Sequence, residues 1–116
     1  MQNFDSIIEH VHTSFETRTK VRDEMLKQAR FLTRNCANAI RAVHRMEHET
    51  AQQHIAEARI LAESLSKNRQ EHPDFFYAGY TQDALKEYAE ANLTYAFVNR
   101  QTIPTPEDIN LEPVAY

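Results

Sequence analysis

The 116-residue sequence reads as an all-α protein, a long antiparallel helical bundle. Three observations carry that reading. The chain has one Gly and four Pro, too few turn-makers for an all-β fold built on tight hairpins. Ala, Glu, Gln, Arg and Leu, all good helix formers, are frequent. Apolar residues recur in steps of three and four, the period of a helix.

The first predicted helix spans residues 4–46, with a stripe of Phe4, Ile8, Val11, Phe15, Met25, Ala29, Leu32, Cys36, Ala39, Val43 and Met46. At 1.5 Å per residue it is roughly 60 Å long. That exceeds the roughly 30–35 Å expected across a compact domain of this size. The helix must therefore kink or have its ends covered by other subunits, so a homo-oligomer is expected. Arg18 and Arg22 fall where the stripe calls for apolar residues. A buried Arg there needs a carboxylate or phosphate; otherwise it reaches out to water.

The second predicted helix, 50–67, opens on Thr50-x-x-Gln53, which has the form of a capping box. Its inner face is Ile55, Ala58, Leu61, Ala62 and Leu65. A polar loop from Ser66 to Pro73 follows, then an aromatic turn, Phe75-Phe76-Tyr77, with Gly79 placed to allow a bend. The third helix, 81–99, takes Thr81 as its N-cap and presents Ala84, Tyr88, Ala91, Tyr95 and Val98. Thr105-Pro106-Glu107-Asp108 starts a short helix over 106–111. Glu112-Pro113 is another start signal with only three residues behind it. It suggests a truncated chain, one helical domain over 1–116.

Composition narrows the function. No apolar run approaches a membrane span, and the N-terminus lacks the basic and apolar regions of a signal peptide. The single cysteine cannot form an internal disulfide, so a reducing, cytoplasmic setting is expected. Net charge is −4, but it is unevenly spread. From Arg18 to Arg45 eight basic residues face two acids, a local +6, while the remainder carries −10. Lys20, Lys27, Arg34 and Arg41 recur every seven residues and share one helix face, with Arg30 and Arg45 beside them. Such a stripe can follow a phosphate backbone. It can equally be a solvated face or pair with acids of a neighbouring subunit.

Two clusters could bind metal. Asp83, Glu87 and Glu90 share one side of the third helix, and their carboxylates suit Mg²⁺ or Mn²⁺, ions that prefer oxygen ligands. A metal there could activate water for phosphodiester cleavage, although ligands from elsewhere would be needed. His44-Arg45-Met46-Glu47-His48 has the H-x-x-E-H form of inverted zinc peptidases. It sits at a predicted helix end, where basic residues and His are expected anyway. No Ser/His/Asp arrangement and no Gly-rich phosphate loop is present.

Taken together, Phe15 to Arg22, Leu32-Thr33-Arg34 to Ala42-Val43-His44-Arg45, and His72-Pro73-Asp74-Phe75-Phe76-Tyr77 resemble the first half of the translin superfamily. Leu85 to Ala91 and Ile103 to Ile109 are similar to translin-associated factor X in particular. The resemblance implies a translin-like helical bundle, assembly into closed oligomeric shells and binding of single-stranded RNA or DNA. It also implies a Mg²⁺-dependent endoribonuclease site in the full-length protein, to which Glu87 and Glu90 contribute as catalytic and metal-binding residues. The nucleic-acid-binding residues expected are Lys20, Lys27, Arg30, Arg34, Arg41 and Arg45. The family's remaining acidic ligands lie on a later helix with no counterpart before Tyr116, so the present chain is expected to be inactive. The competing reading is a non-catalytic helical oligomerisation scaffold.

Overall fold

A computed structural model describes residues 2–99, together with 107 and 109. Apart from residues 107 and 109, the short helix expected over 106–111 lies outside the described residues. Five helices follow in order: α1 (Gln2–His44), α2 (His48–Ser66), α3 (Asn68–Glu71), α4 (Pro73–Phe76) and α5 (Gly79–Val98). Among the described residues no helix is long and apolar enough to cross a membrane.

The molecule is a rod of 68 × 23 × 18 Å with a radius of gyration of 18.1 Å, against about 13 Å for a compact chain of this length. Its length is that of α1, which runs unbroken for 43 residues. α2 returns antiparallel along the C-terminal half of α1. Gln28 meets Ser64, and Asn35 lies against His54; Val43 packs with Ala51. α5 runs in the same direction as α1. Tyr80 lies beside Leu26 to Thr33, while Tyr95 packs on Ala42 and Val43.

The core is where three helices meet. From α1 it takes Met25, Ala29, Leu32 and Cys36; from α2, Ala58, Ala62 and Leu65; from α5, Ala84, Leu85, Tyr88 and Ala91. The many alanines let the helix axes approach closely, and Tyr88 and Phe76 fill the wider gaps. The N-terminal part of α1 takes no part in this core. From Asn3 to Lys20 every residue is exposed, including Phe4, Ile8, Val11 and Phe15. The periodic stripe, interrupted in sequence only at Arg18 and Arg22, is therefore buried only from Met25 to Val43. α2 and α5 are too short to reach the other end.

Several local expectations shift for physical reasons. α1 ends at His44 rather than 46, because Met46 takes a left-handed conformation, φ 61°. Glu47 N–H donates to the Ala42 carbonyl and Met46 N–H to that of Val43, the paired bonds of a Schellman ending. The chain turns straight into α2, which begins at His48 with no side-chain cap. Thr50 thus lies inside the helix instead of capping it. The expected loop after Ser66 folds instead into the single turns α3 and α4, with Pro73 leading α4 where its missing N–H costs nothing. Ala78, not Thr81, caps α5. Thr81 is buried and its hydroxyl donates to the Phe75 carbonyl at 2.8 Å, while the Gln82 amide donates to that of Phe76 at 2.8 Å. These two side chains fasten α4 to α5. Gly79 has no positive φ, so the bend there does not depend on glycine. Val98, expected on the buried seam, is 40% exposed.

Candidate nucleic-acid interface

The basic residues are arranged by the period of α1. Lys27, Arg34 and Arg41 lie two residues away from the core positions Met25, Leu32 and Ala39, a rotation of about 200° at 3.6 residues per turn, and Lys20 continues their seven-residue spacing. Burying one stripe therefore turns the other outward. Lys20, Lys27, Arg30, Arg34, Arg41 and Arg45 are all exposed. The helix end moves one of them: Arg45 sits in the turn after α1 instead of continuing it.

The acids separate these cations from three other arginines. Arg18 pairs with Asp74, Arg22 with Asp23 and Arg59 with Glu63. Among the described residues none of the six stripe cations has a carboxylate within 4.0 Å. Arg41 donates to the amide oxygen of Asn38. Lys27 and Arg34 flank the ring of Phe31, at 6.0 and 5.7 Å from its centroid.

Arg18 resolves the irregularity in the apolar stripe. Its guanidinium donates to Asp74 Oδ2 at 2.5 Å and lies 4.8 Å from the Phe75 ring centroid. The pair is about half exposed, so Arg18 is neither a buried charge nor free. It ties the α4 turn to α1. The Arg18 hydrogen bond holds the Asp74 carboxyl below its ordinary value of 3.8.

The acidic pair stands beside the flank of α1. Tyr80 shares a shallow groove with Leu26, Ala29, Arg30 and Thr33, and Glu87 follows Tyr80 by seven residues on the same side of α5. Glu87 is half-buried, whereas Asp83 and Glu90 are exposed. Glu87 and Glu90 both lie near enough to the buried Cys36 to act on its thiol. Burial first, then these two carboxylates, push the thiol up to about 12. Such a thiol stays protonated and unreactive at neutral pH. The pair offers oxygen donors of the right chemistry for Mg²⁺, one turn apart. Among the described residues, however, no three His, Cys, Asp or Glu side chains come together as a metal site, so the pair alone does not build one. His44, Glu47 and His48 do not share a helix: the left-handed turn at Met46 separates the end of α1 from the start of α2.

No family model and no curated protein matches the sequence. A solved structure does match in shape: apo-NeC3PO, a translin-family complex, superimposes with a TM-score of 0.86 over 94% of this chain, at 17% identity. The fold is translin-like. The chain spans 57% of the length of that neighbour. Within this translin-like frame the basic stripe lies on the outward side of α1 and the acidic pair on the adjoining side of α5. Sequence reasoning placed each set on one face of its helix. It did not assign the Arg18–Asp74 contact, which joins residues 56 apart. Nor did it assign the cations flanking Phe31, although their spacing at i−4 and i+3 was open to reading.

Proposed function

We propose that this translin-like chain binds single-stranded RNA or DNA through the outward stripe of α1 and the turn that follows it: Lys20, Lys27, Arg30, Arg34, Arg41 and Arg45. The observation that carries the reading is that these six cations are exposed and without carboxylate partners, while Arg18, Arg22 and Arg59 are paired. A phosphate backbone supplies the missing anions. The test is fluorescence anisotropy of a labelled single-stranded RNA at 50 and 200 mM salt. Six phosphate contacts on a single strand weaken binding by roughly 300-fold between the two. No binding at 50 mM sinks the reading.

The same reading makes the chain a homo-oligomer. The exposed stripe Phe4, Ile8, Val11 and Phe15 is covered by a second copy of α1, as a helix face of this pattern requires. If RNA binding fails while oligomers form, the scaffold reading takes its place.

For catalysis the proposal is narrower. In the full-length protein Glu87 and Glu90 contribute two carboxylates to a Mg²⁺ or Mn²⁺ site of an endoribonuclease, completed by acids of a later helix. When bound, the ion activates water for phosphodiester cleavage. The role of this chain's residues is to hold that ion on the side of α5 next to the basic stripe. Isothermal titration with Mg²⁺ alone, comparing the protein with a Glu87→Gln, Glu90→Gln variant, tests whether the pair contributes.

A further inference from the structure

Between Lys20 and Arg45 the outward face of α1 carries a single exposed large apolar side chain, Phe31, 41% exposed. A lone exposed aromatic is ordinary on a protein surface. Its neighbours here are not. Lys27 and Arg34 stand one turn before and one turn after it, with their charged groups 6.0 and 5.7 Å from its centroid. Neither cation has a carboxylate within 4.0 Å among the described residues. The unit is therefore an exposed ring between two cations that no acid among the described residues neutralises, midway along a rigid helix.

We propose that Phe31 is a base-stacking platform, with Lys27 and Arg34 holding the phosphates on either side of the stacked nucleotide. The inference rests on the nucleic-acid reading above and deepens it by separating two contributions. The stripe supplies attraction to phosphate, which depends on salt and not on bases. The ring supplies contact with a base face, which any base can make and salt barely alters. Cation–ring contacts at exposed sites are weak, so either long side chain swings off the ring to a phosphate when a base arrives. Duplexes keep their bases stacked internally, so the unit selects single strands without reading sequence.

The experiment compares a labelled single-stranded RNA with an abasic sugar–phosphate oligomer of equal length and charge. The proteins are wild type, Phe31→Leu and Phe31→Trp. Leu keeps the apolar volume at an exposed helical position, and circular dichroism verifies the fold. The chain has no Trp, so Phe31→Trp places one fluorophore at the proposed contact. The expected result is that wild type prefers the base-bearing strand and Phe31→Leu loses roughly 5- to 100-fold affinity for it, the range of one base–aromatic stack. Phe31→Leu also leaves abasic affinity and salt slope unchanged, and Phe31→Trp keeps the preference and is quenched by RNA. Equal wild-type affinity for both oligomers overturns stacking while leaving the phosphate reading intact. So does an unaltered preference in Phe31→Leu, or unquenched Trp fluorescence at saturating RNA. Binding of neither oligomer removes the nucleic-acid reading and this inference with it.

Discussion

Asp74 illustrates how one contact can be tested through its proton. The Arg18 hydrogen bond lowers its carboxyl value in the folded chain. A depressed carboxyl stabilises the fold above its unfolded value, about 3.9 for Asp, and that contribution disappears as pH falls through the folded value. An NMR titration is expected to place Asp74 below its ordinary range in wild type and to return it there in Arg18→Gln. The stability difference between the two proteins should be constant at neutral pH and vanish at acid pH; a difference that persists at low pH would mean that packing on Phe75, not charge, holds the contact. Met46 is a second residue with a local cost. An L side chain at φ 61° loses about 1 kcal/mol relative to glycine, and Met46 is 72% exposed with nothing to offset it. Met46→Gly is expected to raise stability by about 0.5–1 kcal/mol in urea unfolding. Neither feature was open to the sequence. A left-handed Met carries none of the signal that Gly gives at a helix end. The Arg18 partner is set by how α4 packs back on α1.

Among the elements, the small turn α4 depends on contacts made by its neighbour. Thr81 and Gln82 donate to the carbonyls of Phe75 and Phe76 at 2.8 Å, where the end of a single turn offers few backbone donors and the Phe75 carbonyl has only the longer bond from the Ala78 N–H. Thr81→Val keeps the shape and leaves the Phe75 carbonyl only the 3.3 Å bond from the Ala78 N–H, a loss of about 0.5–1.5 kcal/mol, that of one hydrogen bond, to be read in thermal unfolding. The N-terminal arm of α1 is the opposite case. Up to Lys20 it has propensity and periodicity but almost no tertiary support within the chain, Arg18 excepted. A helix segment of this length is marginal alone, so in a dilute monomer its amides should exchange with solvent fastest of all described helices. In the proposed oligomer they should be protected, and Phe4→Ser, Val11→Ser, Phe15→Ser should abolish both the protection and the oligomer in light scattering. These elements show what the sequence could convey. Helical periodicity located α1, α2 and α5 to within a few residues because each has a long buried stripe. It could not say where along α1 burial stops, since that depends on the lengths of α2 and α5. The one-turn helices α3 and α4 are shorter than the pattern that would reveal them.

At the scale of the molecule, charge and shape act together. α1 places a local +6 along the outside of a rod 68 Å long, several screening lengths at physiological salt. A long strand thus meets the cations along the rod as separate contacts. The stripe itself was legible, because a seven-residue spacing fixes a common face whatever the packing; that the cations lack acidic partners was not, since ion pairs such as Arg18–Asp74 arise only on folding. If the cations act as independent phosphate contacts, each removed charge lowers the salt slope of binding by about 0.7 on a single strand. The triple variant Lys27→Ala, Arg34→Ala, Arg41→Ala is then expected to lower the slope by about 2. It should weaken binding to all single-stranded sequences alike, because phosphate contacts carry no base information. The residues are exposed and point away from the core, so the variant should unfold at the same denaturant concentration as wild type. An unchanged slope with wild-type affinity would move the interface off α1 altogether. A drop in stability of matching size would instead assign these cations to holding subunits together, where acids of another copy replace the phosphates.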